Sequence, residues 1–201
     1  MAVNPSTMGV CNLALAFLGG EQLASVEAPW EDSALGVLCL NHFPGVLDLA
    51  LEAHDWSFAR ARVVLAEKEE PRPRPGYGRR YGLPADCLRP VGLGGGGPFI
   101  LEGRDLLTDE SPVELLYIRR VDDPRAWPPA FRTAVAWGLA SVLATARLND
   151  IRKRDLCQQQ FNLFLSEAMA RDNNMQEPVR ELSPWELARG SVYVADGLRR
   201  T

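Results

Sequence analysis

The feature that most restricts this chain is a change of apolar spacing, from helical to strand-like and back. Near the start, Cys11, Leu15 and Leu18 recur at i, i+4 and i+7, with Ala14 and Phe17 widening the stripe. Ser6 or Thr7 is placed to cap this helix, and Gly19-Gly20 ends it, because glycine tolerates the left-handed terminal conformation. Asp32 or Ser33 opens a second helix with Leu35, Cys39, Phe43, Val46 and Ala50 on its apolar face. Pro44 interrupts that face and removes a backbone donor, so a kink or two shorter helices are expected.

From Arg60 the pattern changes. Residues 60–66 and 87–93 read as strands, and 67–82 as a charged loop rich in proline and glycine. Gly94 to Gly97 make a turn, Gly103-Arg104-Asp105 a hairpin tip, and 113–121 the strongest strand. Helical spacing returns after Trp127-Pro128-Pro129, with Phe131, Val135, Leu139, Val142 and Ala146 on one face. Asn149-Asp150 separates this helix from a fourth, marked by Cys157, Phe161, Phe164 and Ala168. The expected fold is mainly α: an antiparallel four-helix bundle with a β-rich insertion between helices two and three and an extended C-terminal tail. Its parts are a first helical pair (1–58), the β-rich insertion (59–126), a second helical pair (127–172) and the tail (173–201).

Composition narrows the function. With 46% hydrophobic and 24% charged residues the chain can form a packed core. A formal net charge of −4 argues against a general nucleic-acid binder, while leaving room for a local basic patch or an acidic channel. The four cysteines, Cys11, Cys39, Cys87 and Cys157, form no C-x-x-C pair and are expected as buried reduced thiols. The N-terminus lacks the positive region of a signal peptide, and no apolar run approaches the ~20 residues of a membrane span.

No motif carries catalysis. His42 and His54 are the only histidines; without H-x-x-x-H or C-x-x-C spacing they hold no metal, and Cys39 with His42 lacks a group to orient the base. Gly94 to Gly97 are followed by Pro98-Phe99-Ile100 rather than by the Lys-Ser/Thr of a phosphate loop. Glu21, Glu27, Glu31 and Asp32 read as solvated acids. Trp56 and Phe58 are suited to anchoring the β segment on the helices. Arg72, Arg74, Arg79 and Arg80, interleaved with prolines, Tyr77 and Tyr81, stand as an intersubunit, tail-facing or DNA contact in a stretched loop. In the tail, Trp185, Leu187 and Tyr193 are candidates for docking on a partner.

Six elements in order resemble one family. Asn12 to Gly19 is similar to its opening helix ending in Leu-Gly, and Ser25 precedes an acidic stretch before helix two. Trp56-Ser57-Phe58-Ala59 followed by Arg62 is similar to its turn into a strand. Tyr81 to Arg89 (YGLPADCLR) looks like its Tyr-x-Leu-Pro-x-Asp-x-Leu-Arg element. Glu102 to Leu107 with the strand ending Tyr117-Ile118, and Trp127 to Phe131 at the start of helix three, complete the set. The family is the tail tubular protein A group, the head-to-tail adaptors of short-tailed bacteriophages, and the resemblance covers about residues 8 to 172. It implies a non-enzymatic connector subunit without a cofactor or a membrane. Such subunits assemble in the host cytoplasm and reside at the head-tail junction of the virion. They form a homo-oligomeric, dodecameric ring on the portal protein that extends the DNA channel and receives the downstream tail or nozzle protein. Trp30, Trp127, Trp137 and Trp185 are then expected at oligomeric surfaces. The competing expectations are a muramidase-like, peptidoglycan-degrading tail protein and a DNA-contacting packaging factor.

Overall fold

A computed structural model describes residues 5–20, 23, 30–68 and 77–175. Two helices come first, α1 (Pro5–Phe17) and α2 (Ala34–Glu52). Six strands follow: β1 (Arg60–Leu65), β2 (Arg79–Gly82), β3 (Cys87–Leu93), β4 (Ile100–Glu102), β5 (Asp105–Thr108) and β6 (Val113–Arg119). Helices α3 (Pro129–Leu148) and α4 (Ile151–Met175) close the described chain.

Local chemistry sets most boundaries. The Ser33 hydroxyl accepts from the Gly36 amide at 3.0 Å and caps α2. Pro44 lies inside that single helix, exposed, rather than between two shorter ones. Pro129 occupies the first turn of α3, where its missing donor is no loss. Asn149 ends α3 at φ +49°, a conformation its short polar side chain tolerates, and Asp150 accepts from the Lys153 amide to start α4. Gly103, at φ +62°, opens the two-residue tip of the β4–β5 hairpin.

The expected four-helix bundle with a protruding insertion is not what forms. The fold is mixed α/β, with two three-stranded antiparallel sheets ordered β1-β6-β3 and β2-β5-β4. The first sheet is a structural layer between the helices and the second sheet. One side of β6 places Val113, Leu115 and Tyr117 in a small core with Leu65, Tyr81, Cys87, Leu93 and Leu106. Its other side sends Ile118 into the helical core, against which Leu88 and Val91 of β3 also pack. The first sheet is therefore no free appendage: Ile118 of β6, with Leu88 and Val91 of β3, seats one end of that face on the helices, while Val64 and Glu114 farther along it stay exposed.

The helices likewise depart from bundle geometry. α3 is the hub, packing on α1, α2 and α4, and its buried positions run around most of its circumference. Alanines and Gly138 make this possible. A Cβ on Gly138 would lie 2.8 Å from Val46 of α2 and 3.0 Å from Phe161 of α4. All four helices nevertheless contribute to one core, from Cys11 and Leu15 through Phe43 and Leu47 to Phe161 and Leu165.

Residues 79–82, expected within the charged loop, form β2, paired to β5 from Arg79↔Thr108 to Gly82↔Asp105. The main chain of Lys68 donates to Arg80 at 2.8 Å, and Glu67 bridges to Tyr81, joining the end of β1 to the second sheet. Residues 69–76 lie outside the described part.

Candidate interaction surfaces and the groups behind them

Arg79 and Arg80 are not free guanidiniums on a stretched loop, as the sequence suggested. Both sit on β2. Arg79 pairs with Glu67 at 2.6 Å, and Arg80 with Glu102 at 3.4 Å and Asp105 at 3.3 Å. The carboxylates come from β4, β5 and the end of β1, so the hairpin partner rather than a second molecule matches much of this charge. Arg72 and Arg74, and the tail residues Trp185, Leu187 and Tyr193, lie outside the described residues.

The aromatics are mostly internal. Trp56 is fully buried, donates through its indole nitrogen to the Ala50 carbonyl at 2.9 Å, and packs edge-on against Phe131. Phe58 meets both rings, tying the entry to β1 onto α3. Trp127, expected at an oligomeric surface, is also buried and donates to the Val121 carbonyl at 2.9 Å. Trp137, expected there too, stacks on Phe17 with ring centroids 3.7 Å apart and packs against the core, half-buried. Intramolecular packing therefore accounts for these two rings. The side chain of Trp30, and Trp185, lie outside the described part.

A polar cluster that the sequence did not single out ties α4 to the turn after α2. Asp172, 4% exposed, accepts from the Ser57 amide at 3.1 and 3.2 Å and from the Ser57 hydroxyl at 2.5 Å. His54 approaches its other side at 3.3 Å and stands edge-on to Trp56. Serine, histidine and aspartate are all present, but in the wrong order for a nucleophile. A hydrolytic triad places imidazole between serine and carboxylate so that it can take the hydroxyl proton. Here the carboxylate stands between them, so the hydroxyl is spent on a structural bond. The sequence signal was available: Asp172 continues the buried stripe of Cys157, Phe161, Leu165 and Ala168, where an acid demands a partner.

Among the described residues, no group of three His, Cys, Asp or Glu side chains is placed to hold a metal. A cleft of about 270 Å³ is lined by Gly9, Val10, Pro124, Arg125 and Arg132. It offers two guanidiniums and no carboxylate, imidazole or thiol; Arg125 is itself held by Asp123 at 2.9 Å. Glu31 and Asp32 lie on a short turn of 3-10 helix before α2, and His42 is half-buried on α2. Gly94 and Gly95 form the turn after β3.

Exposed apolar side chains occur on both halves of the fold, with Val64 of β1 67% and Leu101 of β4 46% exposed, and also along the helices. α2 is the one helix among the described residues long and apolar enough to cross a membrane, with a mean hydropathy of 1.5, so the sequence reading that no run approaches this needs correction. Its inner face packs on α3, yet only 39% of it is buried, and Val37 and Leu49 are 45% and 60% exposed. On α4, Leu156 and Leu163 are separated by seven residues, two full turns, and point away from the buried stripe. Exposed apolar residues aligned on one helix, as Leu156 and Leu163 are, mark a surface that another molecule covers, whereas Val37 and Leu49, twelve residues apart, stand singly on α2.

Neither the protein-family models nor the curated proteins contain a match to this chain.

Proposed function

We propose that the chain is a structural subunit of a head-to-tail adaptor ring in a short-tailed bacteriophage, seated between portal and tail and extending the DNA channel. The observation that carries this is the outward apolar surface of α2 and α4. A helix apolar on most sides but packed on one leaves side chains in water that a neighbouring copy would cover. The six ordered sequence elements between residues 8 and 172 support the same reading through their resemblance to the tail tubular protein A group. The net charge of −4 suits a channel along which DNA slides without sticking.

In this reading the subunit works by packing rather than by chemistry. The first sheet, seated on the helices through Ile118, Leu88 and Val91, joins the β half to the helical half. The portal and the downstream tail or nozzle protein are the heterologous partners, and about twelve copies form the ring. The subunit alone is monomeric or weakly associated, because a ring closes only when the portal arranges the copies. Purified chain mixed with portal from the same particle and imaged by electron microscopy should show a new ring of density on the portal; bare portals at micromolar chain would overturn the proposal. Peptidoglycan zymography serves as the second arm, and clearing abolished by changing one carboxylate would replace it with the hydrolase reading.

A further inference from the structure

The cleft between α1 and the start of α3 is cationic in a chain whose net charge is −4. Three elements build it. α1 supplies Gly9 and Val10, the 3-10 turn Pro124–Ala126 supplies Pro124 and Arg125, and the first turn of α3 supplies Arg132. Val10 and Pro124 are buried and give it apolar walls. Gly9 keeps it open, since a Cβ there would meet nothing within 4 Å. Its volume of about 270 Å³ suits one small group rather than a large cofactor.

The two guanidiniums are held unequally. Arg132 is half-buried, its Nε is buried without a hydrogen bond, and its Nη2 reaches only the Trp127 carbonyl, at 3.4 Å. Arg80 and Arg89 also bury an unbonded Nε, yet each meets carboxylates, Arg80 those of Glu102 and Asp105 and Arg89 that of Asp55. Among the described residues no carboxylate pairs with Arg132. A partly desolvated guanidinium with donors to spare is stabilised by an oxyanion that accepts from its fork. Arg125 stands at the rim, its side chain 72% exposed and paired with Asp123 two positions away. An exposed pair of this kind contributes little to stability, so the Arg125 fork can turn to a second anion.

We propose that this cleft binds a carboxylate carried on a short apolar stem. The carboxylate accepts from Arg132, Arg125 closes over it from the rim, and the stem lies against Val10 and Pro124. Inorganic phosphate has no stem and would leave those walls unused. A glutamate side chain presented by a docking protein has the required form, and so does a free short dicarboxylic acid.

Nuclear magnetic resonance titration of the full chain, labelled with nitrogen-15, tests this. Sodium glutarate should shift the Gly9 and Val10 amides and the Arg132 Nε–H saturably, while sodium chloride at equal ionic strength should not. Arg132→Gln should weaken binding by about tenfold or more, with Arg132→Lys between, because an ammonium keeps the charge and loses the fork. Gly9→Leu retains both guanidiniums but fills the cleft and should abolish binding. Leucine is the better helix former, so α1 should survive that change even if an Arg132 variant fails to fold. An acetylated and amidated Ala-Ala-Glu-Ala-Ala peptide separates the two sources: tighter binding than glutarate assigns a protein side chain, weaker binding a free acid. No saturable shift with either probe, an equal response to inorganic phosphate, or undiminished binding by Gly9→Leu would overturn the proposal.

Discussion

Asp172 shows how much rests on single polar groups in this chain. It is a charged side chain in an apolar stripe, and what makes it tolerable is the Ser57 amide and hydroxyl, 115 positions away in sequence. Asp172→Ala leaves those donors and His54 facing an apolar gap, and should cost about 2–4 kcal/mol in urea unfolding, with Asp172→Asn falling between. A loss under about 0.5 kcal/mol would show that water replaces the carboxylate freely. Asp48 makes a different prediction. Burial pushes its carboxyl above the ordinary 3.8, with Arg120 opposing and Asp122 adding to the rise. The folded state therefore holds that proton more tightly than the unfolded chain. The contribution is complete below pH 3.8 and is lost as pH climbs through the raised value. Measured against Asp48→Asn, which titrates nothing, the unsubstituted protein should lose relative stability over that window; a gain would reverse the assignment.

At the scale of elements, α3 carries the helical half, and Gly138 is its tightest point. Gly138→Ala gains about 1 kcal/mol of helix propensity but drives a methyl into Val46 and Phe161, for a net loss of roughly 1–2 kcal/mol. Thermal melting checks this, and a raised midpoint would mean that α2 and α4 yield easily. The elements were readable where their causes are local. The Ser33 cap, the Asn149-Asp150 break, the Gly103 hairpin tip and the strand at 113–119 all lie where short-range chemistry puts them. Three features escaped for one reason, that their causes are distant. β2 hides among charges because its arginines are matched by Glu67, Glu102 and Asp105 only after the sheet forms. Pro44 does not split α2 because Phe43, Val46 and Leu47 on either side of it are held in the helical core, which keeps the helix continuous despite the missing donor. The expected bundle gives way to layers because β6 feeds Val113, Leu115 and Tyr117 into one core and Ile118 into another, and nothing in a seven-residue stretch states what will cover them.

For the whole molecule the question is what covers α2 and α4. Their outward apolar side chains, Val37, Leu49, Leu156 and Leu163, belong to an interface in the ring account and to solvent in any account of a solitary subunit. Substituting glutamate at Val37 and Leu49 should leave the fold intact, since both point outward, while placing charge where copies meet. The two accounts part most directly in sedimentation velocity of the chain with portal, run for the unsubstituted protein and for Val37→Glu/Leu49→Glu. The ring account predicts a portal complex heavier by about twelve subunits for the first, and free portal plus monomer for the second, with unchanged circular dichroism. Equal sedimentation of the two mixtures would contradict it.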